Sequence, residues 1–290
     1  MEILRKIIGR LALKLFKVWE FFGLHVVPDN FYYPIPSTRD LDEAVFERES
    51  ECIGLDWNID TQKRYLREVF PAFTLEREFQ INPGLSLVDA AILHCMIRRH
   101  KPEKMIEIGS GSSTEIAARA CLMNRAEGSP CELIAIEPYP GKALMKGFPG
   151  LTTLKRERVQ SVGVEAFEEC DLLFVDSSHV VMTGSDVNYI QLEILPRLKK
   201  GCLIHFHDIL LPGEYWRDWV KKRHIFWSEQ YLLQAFLLFN HSFEVIWASR
   251  YMHLKNEKDI KAVFPFFEPG PGKHRITSFW IRRKESDIRP

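Results

Sequence analysis

Two short runs hold the side chains best able to move a proton or bind a metal, Asp176-Ser-Ser-His179 and His205-Phe-His-Asp208. An imidazole of near-neutral pKa can take a proton from a hydroxyl directly. Carboxylates and imidazole can instead hold a divalent cation, which lowers the pKa of the hydroxyl and orients it. Strand alternation sends His205 and His207 to one face, but only His207-Asp208 falls at the strand end, so His205 reads as a core histidine. The candidate catalytic residues are therefore His207, His179 and Asp176, with Asp176, His207 and Asp208 as the alternative metal set.

A ligand-holding turn stands upstream. Met105-Ile-Glu-Ile-Gly-Ser-Gly-Ser-Ser-Thr114 reads as a buried strand, a glycine turn and the start of a helix. Gly109 and Gly111 let backbone amides approach a nucleotide-like ligand, and Ser112, Ser113 and Thr114 are expected to cap a helix over Glu115–Leu122. The next strand, Glu132 to Glu137, ends in an acid where an α/β nucleotide fold puts a carboxylate for ribose hydroxyls. The dinucleotide fingerprint would want glycine or alanine at position 114, where Thr114 stands.

These residues need a frame that brings strand ends together. Strands expected at Lys104–Ile108, Glu132–Glu137, Leu151–Glu157, Asp171–Asp176 and Cys202–His207 alternate with helical stretches. Phe243–Trp247 and Thr277–Ile281 follow as a final pair, expected to be antiparallel. The expected class is α/β: a Rossmann-like, seven-stranded, mostly parallel sheet with helices on both faces, plus a helical N-terminal extension. Pro83-Gly84 marks the boundary, giving an extension over 1–80 and a main domain over 81–290. Ser86 should begin a helix through His100, and further helices are expected near Leu41–Ser50, Thr61–Phe70, Asp186–Leu198 and Glu229–Phe239.

The chain has 290 residues, 46% of them hydrophobic, and Lys plus Arg equals Asp plus Glu at 39 each. A full core is affordable, and nothing in the charge balance suggests nucleic acid as a partner. Cys52, Cys95, Cys121, Cys131, Cys170 and Cys202 show no C-x-x-C spacing and read as reduced thiols of a cytoplasmic protein. Residues 3–22 are apolar, but Lys14 and Lys17 interrupt the run, which is shorter than the roughly 20 residues that span a bilayer. On a helical wheel Leu4, Ile8, Leu11, Leu15, Val18, Trp19 and Phe22 oppose Lys6, Arg10, Lys14 and Lys17. Such a basic amphipathic helix packs on its own domain, joins a second copy in a homo-oligomer, or lies on the inner membrane surface.

Glu107-x-Gly109-x-Gly111-x-Ser113, followed by an acid closing the next strand, resembles the cofactor motif of class I S-adenosylmethionine-dependent methyltransferases. That resemblance places Glu107, Gly109, Ser110 and Gly111 around the methionine part and Glu137 on the ribose, with Ser112, Ser113, Asp176 and Ser177 completing the cofactor set. The D-x-x-H and H-D-I signatures at Asp176–His179 and His207–Ile209 resemble the family found beside sugar and polysaccharide biosynthesis, the cephalosporin-hydroxylase and macrocin O-methyltransferase group. It implies S-adenosylmethionine as cofactor, a small-molecule or sugar hydroxyl as acceptor, and a divalent-metal site at Asp176, His207 and Asp208, although a histidine at 207 departs from the acids and amides usual there. Tyr215, Trp216, Trp219 and Trp227 are candidates to stack on the acceptor or to anchor packing. Two alternatives stand beside this reading: a catalytically silent membrane-surface binding protein on the same sheet, and a nicotinamide-dependent oxidoreductase.

Overall fold

The computed structural model describes residues 2–30, 32–76, 85–267 and 275–284. The expected boundary at Pro83-Gly84 lies outside them. By compactness the chain divides into two units, Met1–Arg48 with Glu214–Phe226, and Glu49–Gly213 with Trp227–Pro290.

The larger unit holds a seven-stranded sheet: β1 (Lys104–Ile108), β2 (Glu132–Ile136), β3 (Thr153–Lys155), β4 (Leu172–Val175), β5 (Leu203–Phe206), β6 (Phe243–Ala248) and β7 (Phe279–Arg283), in the order β3-β2-β1-β4-β5-β7-β6. The first five strands are parallel, and β7 runs antiparallel to both β5 and β6. The two faces sort by residue parity. Met105, Leu133, Leu172, Phe174 and Leu203 pack with helices Leu87–His100 and Ser112–Ala126. Ile106, Ile108, Leu173, Val175, Ile204 and Phe206 pack with Ile190, Ile194, Leu233 and Leu237. Strands buried on both sides read as continuous apolar runs, as parallel sheets require.

Helix Leu87–His100 starts where expected. Ser86 Oγ accepts from the Asp89 amide at 3.0 Å and donates to Asp89 Oδ2 at 2.9 Å, and Lys101 ends the helix in the left-handed region at φ 46°. Two of the other expected helices are not regular. Around Tyr65–Val69 and Ile190–Ile194 the chain widens into π-turns, each two residues before a proline, Pro71 and Pro196. Proline has no N–H to give the carbonyl four residues back and its ring crowds that carbonyl, so the turn opens. The Leu41–Ser50 segment forms only the short 3₁₀ turn Glu43–Glu47, capped by Asp42.

The smaller unit is held by polar contacts of its own. Arg217 makes a two-pronged ion pair with Glu43 at 2.6 and 3.1 Å, and Lys221 Nζ donates to the carbonyls of Thr38 and Leu41. Tyr215 and Trp219 are buried, so these two aromatics are packing anchors as the structure stands. All six cysteines are buried and unbridged.

Candidate active site

The register brings the sequence candidates together. Ile108 pairs with Ile136 and with Val175, and Val175 with Phe206, so Gly109, Glu137, Asp176 and His207 each stand one residue beyond a paired strand end. Ligands of open α/β sheets sit at this carboxyl edge.

Gly109 has φ +78°, and a Cβ there would lie 1.7 Å from the Asp176 carbonyl oxygen. Its glycine therefore serves the close approach of the turns after β1 and β4, a role the sequence did not signal. Gly109→Ala is expected to cost about 3 kcal/mol or more, read as a fall in the denaturant midpoint of unfolding. Gly111 behaves differently: nothing lies within 4 Å of a Cβ built on it. That open space is the candidate cradle for a ligand. The caps also differ from expectation. Gly111 is the N-cap, and Ser112–Thr114 form the first turn of a helix that runs to Ala126, with Thr114 Oγ1 accepting from the Gly111 amide at 3.1 Å.

Glu107, next to last in β1, is fully buried. Its Oε1 accepts from Ser113 Oγ at 2.5 Å, while Oε2 has no partner among the described residues. Burial pushes its carboxyl up to about 7, against the pull of the Ser113 and Thr114 hydroxyls. Ser113 is thus a support for Glu107, buried away from the cradle. The Ser177 hydroxyl is also buried, without a partner among the described residues. Glu137 turns back onto the glycine turn, its Oε2 accepting from the Ser110 amide at 3.2 Å and its Oε1 from the Tyr139 amide at 2.7 Å. Unsatisfied buried acceptors beside an open cradle fit a ligand carrying donors.

The second cluster centres on His179, which is buried. Its Nδ1 contacts Glu229 Oε2 at 2.8 Å, and its Nε2 contacts Asp176 Oδ1 at 3.1 Å and lies 4.0 Å from Asp208 Oδ2. The His179 carbonyl accepts the amides of Ser228 and Glu229 at the start of helix Glu229–Leu237, which fixes the loop, and the Trp227 ring lies 4.3 Å from the imidazole. Burial alone would lower the His179 pKa, but hydrogen bonds to Asp176 and Glu229 raise it to about 10. With acids on both nitrogens the ring holds its proton tightly, so Nε2 would have to release that proton before serving as a base or as a metal ligand.

Asp208 is oriented from behind. Thr277 Oγ1 donates to its Oδ1 at 3.1 Å, and the amides of Thr277 and Ser278 bond the buried Asp89 carboxylate at 2.9 and 3.1 Å. Both His179 and Asp208 take left-handed backbone, at φ 60° and 54°, although neither is glycine. Two such residues in one cluster, each costing about 1 kcal/mol, are held by the surrounding bonds rather than by local preference.

Asp176, His179 and Asp208 each offer a ligand atom, and these atoms all lie within 4.8 Å of one another. The metal set expected from the sequence had His207 in the place that His179 takes in this cluster. His207 is buried, its Nδ1 has no partner among the described residues, and its Nε2 stands 3.7 Å from Asp208 Oδ1. Burial lowers its pKa, but the carboxylates of Asp208, Asp176 and Asp89 leave it raised overall. His205 lies in the core as expected, stacked 4.2 Å from Phe174 and bonded to Ser278 Oγ at 3.2 Å. The residue that sequence reasoning passed over is Glu229. As the first residue of a helix it reads as a charge on the helix dipole, and nothing local signals a contact with His179 fifty positions earlier.

Five parallel strands with β7 reversed between β5 and β6, a glycine turn after β1 and an acid after β2 define the class I S-adenosylmethionine-dependent methyltransferase fold. Residues 106–209 match the family model described as a methyltransferase domain. An uncharacterized protein of Archaeoglobus fulgidus is 29% identical over 160 residues, 49% of this chain and 72% of that protein. Among solved structures, the O-methyltransferase TomG from Streptomyces achromogenes, in complex with S-adenosylmethionine, aligns at TM-score 0.44 and 14% identity over 79% of this chain and 97% of its own. The Podospora anserina methyltransferase PaMTH1, bound to S-adenosylhomocysteine, aligns at 0.42 and 15% over 79% and 94%.

Proposed function

We propose that the protein is an S-adenosylmethionine-dependent O-methyltransferase acting on a hydroxyl of a small molecule, a sugar or glycan precursor, with a divalent cation at Asp176, His179 and Asp208. The observation that carries it is the adjacency of two unlike sites along one sheet edge: an open cradle with unsatisfied acceptors, and a histidine enclosed by carboxylates. S-adenosylmethionine supplies an activated methyl group on its sulfonium. Glu107, Ser110 and Gly111 are the residues to hold its methionine part, and Glu137 its ribose. A divalent cation would supply the positive charge that acidifies the acceptor hydroxyl.

The donor set supports such an ion. Three acids, Asp176, Asp208 and Glu229, surround His179, and Glu229 on Nδ1 is placed to orient the ring so that Nε2 faces the two aspartates. The side chains of Asp176 and Asp208 keep 34% and 18% of their surface exposed, whereas those of His179 and His207 keep about one twentieth. An acceptor arriving from solvent therefore meets carboxylate oxygens first. These orient the hydroxyl for in-line attack and receive its proton. The sugar class of acceptor rests on the resemblance of the Asp176–His179 and His207–Ile209 signatures, and a carbohydrate offers the adjacent hydroxyls that a cation and two carboxylates together can hold.

A second reading keeps His207 as the direct base, on the single observation of its unpartnered Nδ1. Screening hydroxylated sugars with and without chelator separates the two. Transfer that stops with chelator and returns with magnesium or manganese is expected; transfer indifferent to chelator would favour His207. For the cofactor, titration calorimetry is expected to show micromolar-range binding of S-adenosylhomocysteine to the folded protein. No heat with either form would remove the enzymatic reading. Gly111→Ala is expected to weaken that binding about tenfold or more, while its unfolding midpoint stays within about 1 kcal/mol of the parent, the opposite of Gly109→Ala.

A further inference from the structure

The helix Glu2–Lys14 is turned inside out. A helix that packs on its own domain hides its apolar stripe, but here the small residues Gly9 and Ala12 face inward: a Cβ on Gly9 would meet Pro28 at 3.3 Å, and Ala12 is buried. Leu4, Ile7, Ile8 and Leu11, which share one helix face, are each more than half exposed. The next helix, Phe16–Phe21, continues the pattern with Val18 exposed, and its C-terminal end presents Phe21 at 84% and Phe22 at 67% exposure. Apolar surface of this extent, gathered in one segment, marks a site of contact.

Charge says with what. Residues 2–21 carry Arg5, Lys6, Arg10, Lys14 and Lys17 against Glu2 and Glu20, in a chain whose overall balance is neutral. Between the helix and the segment Val26–Asn30 lies an open cavity of about 630 Å³ lined by Arg5, Lys6 and Arg10, with Arg39 there paired to Asp29 at 3.1 Å. Cations flanking an apolar stripe fit the headgroup level of an anionic bilayer, with the stripe sunk at the acyl boundary. A second copy of the same helix would bring like charges together along the seam. Among the described residues no helix is long and apolar enough to cross a membrane.

We propose that residues 4–22 dock the protein on an anionic lipid surface, lying in the plane of the interface. This assignment is independent of the reaction proposed above and survives its failure. The test is co-sedimentation of the full chain with vesicles of phosphatidylcholine alone and of phosphatidylcholine mixed with phosphatidylglycerol. Binding to the anionic vesicles only is expected. The double variant Lys14→Glu, Lys17→Glu should bind them roughly tenfold or more weakly, since each cation near such a surface contributes about fivefold. Leu11→Ser with Phe22→Ser should do the same through the apolar half. All four side chains are exposed, so folding is not at stake, and unchanged unfolding midpoints confirm it. No binding to either vesicle, or equal binding to both, overturns the proposal. So does a dimer in sedimentation velocity that dissociates on Ile7→Asp, because a second copy would then be what covers the stripe.

Discussion

Asp208→Asn is expected to lower methyl transfer on the order of 10²–10³-fold while leaving affinity for S-adenosylhomocysteine within about twofold of the parent. The asymmetry follows from placement. Asp208 stands after β5, bonded to Thr277 and 4.0 Å from His179, whereas the open cradle and its unsatisfied acceptors follow β1. The amide keeps the size of the side chain and can still bond Thr277, so the strained backbone at φ 54° stays supported and the loss reports lost charge. Metal titration of the variant, without any acceptor, should show manganese binding weakened about tenfold or more by loss of one anionic ligand. Glu229→Gln is the companion, because it removes the charge behind Nδ1 and no direct ligand; its transfer rate should fall about 10- to 100-fold with intact cofactor affinity. His207→Gln distinguishes the rival chemistry. If it abolishes transfer while Asp208→Asn does not, the proton goes to His207 and the metal assignment is wrong.

Most of the frame could be read directly, since the features that specify it are local. Alternating apolar runs such as Leu172–Val175 and Leu203–Phe206 admit one arrangement, a sheet buried on both faces, and seven strands are found where the pattern puts them. The Ser86 cap was equally legible, being a contact across three residues. What escaped were effects requiring two distant backbones to meet. Gly109 is glycine because of a carbonyl 67 positions later, which no turn rule foresees. His179 and His207 are indistinguishable by residue type at strand ends, and only the fold reveals that Glu229 and Asp176 grip the first while the second keeps a bare nitrogen. The N-terminal helix shows the same limit. Its wheel displays an apolar face, but whether that face turns inward depends on the Gly9–Pro28 approach.

The affinity of the parent protein for S-adenosylmethionine is expected to rise with pH up to about 7 and then level off, and Glu107→Gln should abolish that dependence. Glu107 is fully buried with no cation beside it, so burial holds its carboxyl near 7 and about half the molecules carry the proton at that pH. A cofactor ammonium bonded to Oε2 would favour the ionised form; binding below pH 7 would then expel a proton, and the apparent affinity should climb toward tenfold per pH unit. Calorimetry in two buffers of different ionisation heat measures that proton directly. The stability of the empty protein runs the other way. A carboxyl raised from its ordinary 4.5 to about 7 stabilises the fold most below pH 4.5, where both states are protonated, and that contribution is lost as pH rises to 7, up to about 3 kcal/mol in all. Glu107→Gln, neutral throughout, should accordingly unfold at higher denaturant than the parent at pH 8, nearly with it at pH 5, and bind S-adenosylmethionine about 10- to 100-fold more weakly at pH 8. A site kept unstable until its ligand arrives is the signature of a residue selected for binding. A glutamine variant that is no more stable than the parent at pH 8, or a parent affinity flat from pH 6 to 8, would assign Glu107 to the core and leave the cradle without its anion.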